Sequence, residues 1–384
     1  MRAAALAVLA LVVAIPGAYA SAPAAAPGIT PSTILIGAKA YFDHVNARGG
    51  INGRKIEYRY LDDGYDPSRT VQAVRRLVQQ DNVFAMFNMV GTEQNVAVRP
   101  FLNAAKIPHL FVGSGLRKLG RERARYPWTM PYLPSFFAEA RIFGRHAAQT
   151  KPGAKVAVLH EASEYGREML AGVRAGVGRR ARVVATQSYE VTDVDLSSQI
   201  AQLRRSGANV LMLFSLPRQT ISAFVAAGRL GWAPKTYLNA VSADPAVLKI
   251  AQLSTGKKTG ENTITLAWMK DASNPANAND PAIRLYKQIM RRHAPNRNAD
   301  EVVHMHGMAV AYSLVEALKK AGRNPTRASL LRAAQRLDHQ VPFMIKGIKI
   351  QTSPRDYFPM SRVIFYRYQR GYWRLFGKLM PAGG

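Results

Sequence analysis

The sequence predicts an α/β fold in two halves, each with a mostly parallel sheet flanked by helices. The chain has 384 residues, which is too long for one compact core and fits two domains. From Thr33 onward, short β-branched runs alternate with helical stretches, as they do when helices cover both faces of a parallel sheet. This alternation occurs in two similar halves that divide near residue 135.

Composition indicates a globular protein. Hydrophobic residues make up 48% of the chain and charged residues 20%. The absence of cysteine excludes a disulfide scaffold, a cysteine-ligated zinc site and a thiol nucleophile. The formal net charge of +29 creates a field that attracts anionic ligands, anionic lipid or nucleic acid, although base composition of the genome can account for part of it.

The first twenty residues have the layout of a secretory signal peptide. Met1-Arg2 supplies a positive start, Ala3 to Ile15 is apolar, and Ala18-Tyr19-Ala20 is a small-residue cleavage site before Ser21. We therefore expect residues 1–20 to be removed and the mature protein to be soluble and periplasmic, without a lipid anchor. An uncleaved amphipathic start is the alternative. Export weighs against nucleic acid as a partner.

The first half alternates strand and helix in order. A buried strand at 33–37 precedes a helix at 38–48, which Gly49-Gly50 ends. Asp66 caps a helix that Pro67 opens, because its carboxylate accepts from free N–H groups and proline fits the first helical position. The remaining elements are strands at 55–61, 83–89 and 107–112 and a helix at 92–105.

The second half repeats this order and then changes. Its glycines Gly172, Gly176 and Gly178 are interpreted as ending a helix and not as a phosphate loop. Thr326 is the expected cap of the last helix. The elements are strands at 154–160, 181–189, 210–214 and 236–238, helices at 165–177, 196–206, 219–230, 281–293, 302–322 and 327–337, and a hairpin at 361–376 turning at 369–371.

No catalytic or metal-binding pattern is present in the sequence. His304 and His306 are two apart, so on a helix they point to different sides and make a poor metal pair. Asp62 and Asp63 are explained as the turn before the Asp66 cap. We expect no enzyme activity, no metal and no cofactor.

The candidate ligand contacts lie where strands end. Ligands of open α/β sheets bind outside the carboxyl ends of the strands, where helix N-termini and loops gather. Each candidate can also be an ordinary turn or cap, but two sets facing across a cleft favour a ligand. The candidates are Gly91, Thr92, Ser114 and Gly115 in the first half, and residues 161–166, 215–217, Asn239 and Ser242 in the second.

Several motifs of the chain resemble periplasmic binding proteins of the leucine/isoleucine/valine type, which deliver solutes to ABC importers. The resemblance runs from about residue 29 to residue 377. The motifs that carry it are Gly-Gly-Ile-Asn-Gly-Arg-Lys-Ile at 49–56, Asp-Asp-Gly-Tyr-Asp-Pro at 62–67, Ile-Pro at 107–108, Tyr-Pro-Trp-Thr at 126–129, Glu-Tyr-Gly at 164–166 and the stretch at 352–359.

The resemblance implies a type I periplasmic binding protein with two lobes and a solute held in the cleft between them. It implies a first lobe of 29–135 plus 267–345, a second of 136–266 plus 346–377, and a membrane permease as partner of a monomer. In this family the first lobe grips a ligand carboxylate, and an aromatic residue of the second lobe covers the ligand. The matching positions here are Gly91, Thr92, Ser114, Gly115, Leu116 and Arg117 for the grip and Tyr165 for the cover.

Two features qualify the expected solute. The family has a long cleft-lining loop between the first strand and the first helix, whereas here Gly37 runs directly into Ala38. An impaired binding protein is therefore one alternative, and an exported sensing lobe that partners a membrane receptor is another. Because Asp244 is interpreted as a helix cap, we favour a carboxylate without an amine, with Glu161 and Glu164 as the remaining candidate partners for an ammonium.

Overall fold

The computed structural model of the protein describes residues 34–35, 38–256 and 258–382. The expected signal peptide and the junction between Gly37 and Ala38 lie outside these residues. The strands are β1 Ile34–Leu35, β2 Ile56–Glu57, β3 Met86–Phe87, β4 His109–Val112, β5 Thr129–Pro131, β6 Lys155–Glu161, β7 Arg182–Tyr189, β8 Val210–Phe214, β9 Lys235–Leu238, β10 Ile264–Ala267, β11 Asp338–His339, β12 Ile350–Gln351, β13 Arg362–Gln369 and β14 Tyr372–Pro381.

The helices agree with most of the sequence-based assignments. Asp66 accepts from the N–H groups of Ser68 and Arg69, and Thr326 forms a capping box with Ser329, so both predicted caps are confirmed. The helices are α1 Lys39–Asn46, α2 Pro67–Gln79, α3 Thr92–Ala104, α4 Arg117–Arg121, α5 Phe136–Thr150, α6 Glu164–Val177, α7 Ser197–Arg205, α8 Pro217–Arg229, α9 Pro245–Thr255, α10 Pro281–His293, α11 Val302–Ala321 and α12 Arg327–Ala334.

The largest sheet has seven strands in the order β14-β13-β10-β9-β8-β6-β7. The neighbours from β10 to β7 are parallel, and β13 and β14 join the edge as an antiparallel hairpin. Every residue of β8 is buried, as expected for a central strand covered on both faces. The hairpin turns at Arg370 and Gly371, which both have positive φ, so the predicted turn is confirmed.

The first lobe contains a second, smaller sheet of three strands. Its strands are parallel in the order β3-β4-β5, and β1 pairs with β2 beside it. The strand predicted over 55–61 is only Ile56–Glu57, and the strand predicted over 83–89 is only Met86–Phe87. An isolated bridge between Val90 and Gly113 extends the β3–β4 pairing to the point where both chains leave the sheet.

The long C-terminal helices pack against the smaller, three-stranded sheet. The Tyr132 hydroxyl, which follows β5, donates to the carbonyl of Ala309 in α11 at 3.2 Å. The guanidinium of Arg327 in α12 donates to the carbonyls of Val83 and Phe84, at 2.8 and 3.1 Å. The chain therefore returns to its first lobe after completing β10.

Residues 350–358 also contact elements of the first lobe, at the end of α12 and just before β5. The Thr352 hydroxyl donates to the carbonyl of Ala334 at 2.6 Å, and the Tyr357 hydroxyl donates to that of Pro127 at 3.2 Å. The lobe boundary expected at residue 345 stays a prediction, and these contacts favour one nearer residue 360.

The interpretation of three glycines as the end of a helix is wrong for two of them, because α5 packs closely on α6 there. Gly172 and Gly176 lie inside α6 and do not end it; only Gly178 lies beyond its last turn. A Cβ on Gly172 would lie 2.5 Å from the carbonyl oxygen of Phe137, and one on Gly176 would overlap that of Arg141. These two glycines are therefore required by the close approach of the helix backbones.

Candidate functional site

The carboxyl ends of β3 and β4 bring together two predicted contact residues. Gly91, with φ of +108°, precedes α3 and lets the chain turn so that Thr92 opens the helix. The Thr92 hydroxyl lies 2.8 Å from the Ser114 hydroxyl, and both side chains are buried. Two hydroxyls next to the free N–H groups of a helix N-terminus can hold a carboxylate.

Gly115 and Leu116 shape the loop that follows Ser114. A Cβ on Gly115 would lie 2.9 Å from the ring of Phe136, so glycine is needed where this loop passes the start of α5. Leu116 is buried, and its N–H donates to the Ser114 hydroxyl at 3.3 Å. These contacts hold the Ser114 hydroxyl in place.

Arg117, the last of the predicted first-lobe contacts, binds the second lobe. Its backbone N–H donates to Oε2 of Glu168 in α6 at 2.9 Å, and its Nε donates to the other oxygen of that carboxylate. The guanidinium lies over the ring of Phe137, 3.8 Å from the centroid. Its charge is thus neutralised within the protein.

Two further contacts join the lobes at the same place. Lys118 Nζ lies 2.6 Å from a carboxylate oxygen of Glu164, and the Glu164 N–H donates to Oε1 of Glu93 at 2.6 Å. An open cavity of about 440 Å³ lies between α4 and α6 beside these ion pairs. Direct side-chain contacts therefore close one side of the interlobe cleft.

The carboxyl ends of four strands form the second-lobe face of the cleft. Glu161 ends β6, Tyr189 ends β7, Ser215 follows β8 and Asn239 follows β9. The Tyr189 hydroxyl lies 3.5 Å from Glu161 Oε2 and accepts from the N–H of Leu216 at 2.9 Å. This edge therefore collects polar groups that face the first lobe.

Asn239 and Ser242 hold the loop after β9 against the loop after β8. Asn239 Oδ1 accepts from the Ser215 N–H at 3.3 Å, and the Ser242 hydroxyl donates to the Ser215 carbonyl at 2.5 Å. Asn239 Nδ2 is buried and has no hydrogen-bond partner among the described residues. Asn239 thus offers a donor to a bound molecule, whereas Ser242 is satisfied internally.

Tyr165 is the predicted aromatic cover, and its hydroxyl is unpaired. The side chain is only 4% exposed, its ring packs edge-on to Phe136 at 4.8 Å between centroids, and its hydroxyl has no partner among the described residues. Burial raises the pKa of Tyr165, and the nearby Glu139 and Glu161 carboxylates raise it further. Buried polar atoms in native proteins are hydrogen-bonded in the great majority of cases, so this hydroxyl points to a missing partner.

Glu139 is a further buried acid, beside the loop after β9, and was not predicted. It lies in the first turn of α5, is buried, and its Oε1 accepts from the Ala240 N–H at 2.7 Å. Burial raises its pKa to about 7, and burial also raises the pKa of Glu161. Neither carboxylate has an ion-pair partner in the described part of the chain, although the net charge is +29. A single acid within the apolar stretch Phe-Phe-Ala-Glu-Ala was the signal that could have identified it.

Asp244 is not available to a ligand. Its Oδ1 accepts from the Ala246 N–H at 2.9 Å and its Oδ2 from the Val302 N–H at 2.9 Å. The predicted role of Asp244 as a helix cap is therefore confirmed.

The described residues were also considered as a metal site or a membrane span, and they provide neither. Within residues 34–35, 38–256 and 258–382, no group of three or more acidic or histidine side chains is placed to hold a metal ion. Over the same residues, no helix combines the length and apolar character needed to cross a bilayer.

Comparison with known proteins identifies relatives over most of the chain. Residues 20–371 match the family model described as periplasmic binding protein. A Leu/Ile/Val-binding protein homolog 7 from Brucella abortus (strain 2308) is 24% identical over 213 residues, which are 52% of this chain and 51% of the relative. The chain thus spans about half the length of the curated relatives it matches.

Solved structures share the fold. A branched chain amino acid ABC transporter protein from Thermus thermophilus, with bound valine, superposes with a TM-score of 0.76 at 18% identity, covering 89% of this chain and 90% of that one. A solute binding protein from Rhodopseudomonas palustris BisB5, in complex with 3,4-dihydroxy benzoic acid, has a TM-score of 0.74 at 18% identity, covering 90% and 91%. The predicted two-lobe α/β fold is confirmed.

Proposed function

The chain belongs to the periplasmic binding protein family, and we propose that it is the periplasmic substrate-binding component of an ABC importer. It binds a small amino acid between its lobes and presents it to a membrane permease. Relatives of the Leu/Ile/Val type and the fold shared with a valine-bound transporter protein support this proposal. We further propose that it acts as a monomer and without enzymatic activity.

The observation that carries the proposal is the pairing of opposite chemistries across the cleft. On the first lobe, Thr92 and Ser114 place two hydroxyls 2.8 Å apart at a helix N-terminus, which suits a carboxylate. On the second lobe, Glu139 and Glu161 are buried carboxylates without a cation. Because a buried charge is costly until it is paired, these acids suit an ammonium.

This arrangement changes the expected solute. The sequence favoured a carboxylate without an amine because Asp244 is a cap, which left only Glu161 and Glu164 as candidate partners for an ammonium. Glu139, which α5 brings to the cleft, removes that reason. The unpaired Tyr165 hydroxyl and Asn239 amide supply further polar contacts for an α-amino acid.

Calorimetry with matched pairs tests the proposal on the mature chain beginning at Ser21. The pairs are L-leucine with 4-methylpentanoate and L-phenylalanine with 3-phenylpropanoate, each differing only by the amino group. We expect binding of an amino acid and at least about a hundredfold weaker binding of its deaminated partner, since the buried acids then lose their cation. Preferential binding of the deaminated acids would contradict the amino-acid assignment.

A thermal-shift panel provides the control for folding. Ligand that binds only the folded state raises the melting temperature. A well-folded protein that responds to no amino acid and no carboxylate would contradict the solute-binding proposal. That result would favour the alternative of a protein impaired by the direct junction of Gly37 and Ala38.

A further inference from the structure

Tyr65 has an unusual backbone conformation beside the cleft. It lies in the loop between β2 and α2, and its φ is +62°. A bulky residue other than glycine rarely adopts positive φ, so the surrounding structure must impose it. The position of the Tyr65 side chain is therefore set by its surroundings.

Hydrogen bonds on both sides hold Tyr65 in this conformation. Its N–H donates to Asp63 Oδ1 at 2.8 Å, and its carbonyl accepts from Gln94 Nε2 at 2.8 Å. Asp63 is itself buried and accepts from the hydroxyl of Thr70. The loop is thus anchored to α2 and α3, and the Tyr65 ring is held in position.

The ring borders the predicted grip of the first lobe. A Cβ on Gly91 would lie 3.1 Å from Cε2 of Tyr65, so the ring packs against the residue that precedes α3. Thr92, whose hydroxyl pairs with Ser114, follows directly. Tyr65 therefore stands beside the proposed carboxylate contacts.

The start of α3, on which the Tyr65 ring packs, contacts the second lobe, where Oε1 of Glu93 accepts from the N–H of Glu164, the residue before Tyr165, at 2.6 Å. Burial raises the pKa of Tyr65, and the Glu161 carboxylate of the second lobe raises it more than Glu93 or Asp63 of its own lobe. A charged Tyr65 phenolate would in turn raise the pKa of Tyr165 and that of Tyr189, which both belong to the second-lobe face. Tyr65 and Tyr165 thus approach the same space from opposite lobes.

Building on the proposed function, we propose that Tyr65 is a specificity-determining residue whose ring forms the first-lobe wall of the solute cleft, opposite Tyr165. The apolar part of the solute then lies between two tyrosine rings, one from each lobe, and the volume between them limits its size. The substrate class is an amino acid whose side chain fits between the two rings.

Titration of ring-deletion variants tests the proposal. Wild type, Tyr65→Ala, Tyr65→Gly and Tyr65→Phe are titrated with L-leucine and L-phenylalanine by calorimetry. Removing the ring opens space for the larger solute, so the ratio of the leucine Kd to the phenylalanine Kd should rise at least about tenfold in the first two variants. Tyr65→Phe keeps the ring and should keep the ratio.

Controls separate this effect from misfolding. Glycine adopts positive φ without steric cost, so Tyr65→Gly should fold even where Tyr65→Ala does not. Tyr60→Ala removes a ring of the same kind that is 54% exposed and should leave the ratio unchanged. An unchanged ratio in folded Tyr65→Ala and Tyr65→Gly would overturn the proposal.

Cross-linking tests the placement of Tyr65 without a ligand, so its outcome is independent of the proposed function. The chain contains no cysteine, and a Tyr65→Cys/Glu161→Cys variant treated with a short bis-maleimide should give an intramolecular cross-link detectable by mass spectrometry. Tyr60→Cys/Glu161→Cys should not. Absence of the first cross-link would overturn the proposal, whereas its formation in a protein that binds neither amino acid would leave Tyr65 at the cleft and contradict only the solute class.

Discussion

Lys118 of α4 and Glu164 of α6 form an ion pair of 2.6 Å that joins the two lobes. The neighbouring pair of Arg117 and Glu168 does the same, with the Glu168 side chain only 7% exposed. Both pairs connect residues of the protein itself, so their attraction favours the closed arrangement whether or not a solute is bound. Since the affinity of a solute depends on the population of the competent state, these pairs set part of that affinity.

Neutralising the second-lobe partners should open the protein. In Glu164→Gln/Glu168→Gln we expect a larger radius of gyration without ligand in small-angle scattering, and weaker solute binding. The Lys118–Glu164 pair is partly exposed, so we expect its loss to cost about 0.5–1 kcal/mol of binding free energy, and high salt should reduce that part. The Arg117–Glu168 pair should contribute more, because the Glu168 carboxylate is buried. Glu316→Gln, which breaks a pair with Lys319 on one helix, is the control and should leave the radius unchanged.

Removing the Thr92 hydroxyl should weaken solute binding. Thr92→Val keeps the shape of the side chain but removes the group that lies 2.8 Å from the Ser114 hydroxyl. A hydrogen bond to a charged group contributes about 1.5–3 kcal/mol, so calorimetry should show that the variant loses this much binding free energy for an amino acid. Ser254→Ala, at the exposed end of α9, should have no effect. Equal affinities for wild type and Thr92→Val would remove Thr92 from the site.

Arg117→Ala separates two roles for that residue. The family resemblance assigns Arg117 to the grip on the ligand carboxylate, and that role stays a prediction. Because Arg117 pairs with Glu168, we expect its removal to weaken binding through lobe closure, so that the effect largely vanishes in a Glu168→Gln background. If Arg117→Ala still reduced the binding free energy by about 1.5–3 kcal/mol in the Glu168→Gln background, this double-mutant cycle would favour direct contact of Arg117 with the solute.

Glu139 should make stability depend on pH. Burial raises its pKa from 4.5 to about 7, so between these values the folded protein keeps a proton that the unfolded chain has released. Stability is therefore lost as the pH rises from 4.5 to 7, by roughly 3 kcal/mol from this group. Glu139→Gln retains an oxygen for the Ala240 N–H and should remove this loss. Denaturant unfolding at pH 5 and pH 8 measures it, and an identical pH dependence in the variant would contradict the prediction.

Two glycine substitutions in helices should have opposite effects. Gly176→Ala places a methyl group against the carbonyl of Arg141 and should destabilise the protein by about 1–3 kcal/mol. Gly307 of α11 has no atom within 4 Å of such a methyl group, so Gly307→Ala should stabilise by about 0.5–1 kcal/mol. Thermal unfolding of both variants checks the sign, and a neutral Gly176→Ala would show that α5 and α6 can separate without cost.

Regular patterning made most of the fold predictable. The fully buried β8 and the capped helix after Asp66 follow from local sequence, because burial and capping depend on residues close together in the chain. α5 and β10 were not assigned. α5 begins at the place where the halves were divided, and β10 is too short to show a period.

The site was predictable only where it follows a strand. Thr92 and Ser114 were expected to meet because both follow neighbouring parallel strands. Glu139 and Tyr65 were missed because each is explained locally, one as part of an apolar helix and the other as part of a turn. Their place in the cleft depends on how the two lobes face each other, which no local pattern contains.

The pairing of β10 with β13 has a consequence for the order of folding. Thr265 of β10 lies opposite Tyr366 of β13, about a hundred residues later in the chain, and such distant pairing slows folding. The first lobe likewise needs α11 and α12 before its sheet is covered. In the expected division each lobe is built from two separate stretches of chain, so no contiguous fragment consists of one lobe alone. Simple truncation therefore cannot yield either lobe as an independent unit.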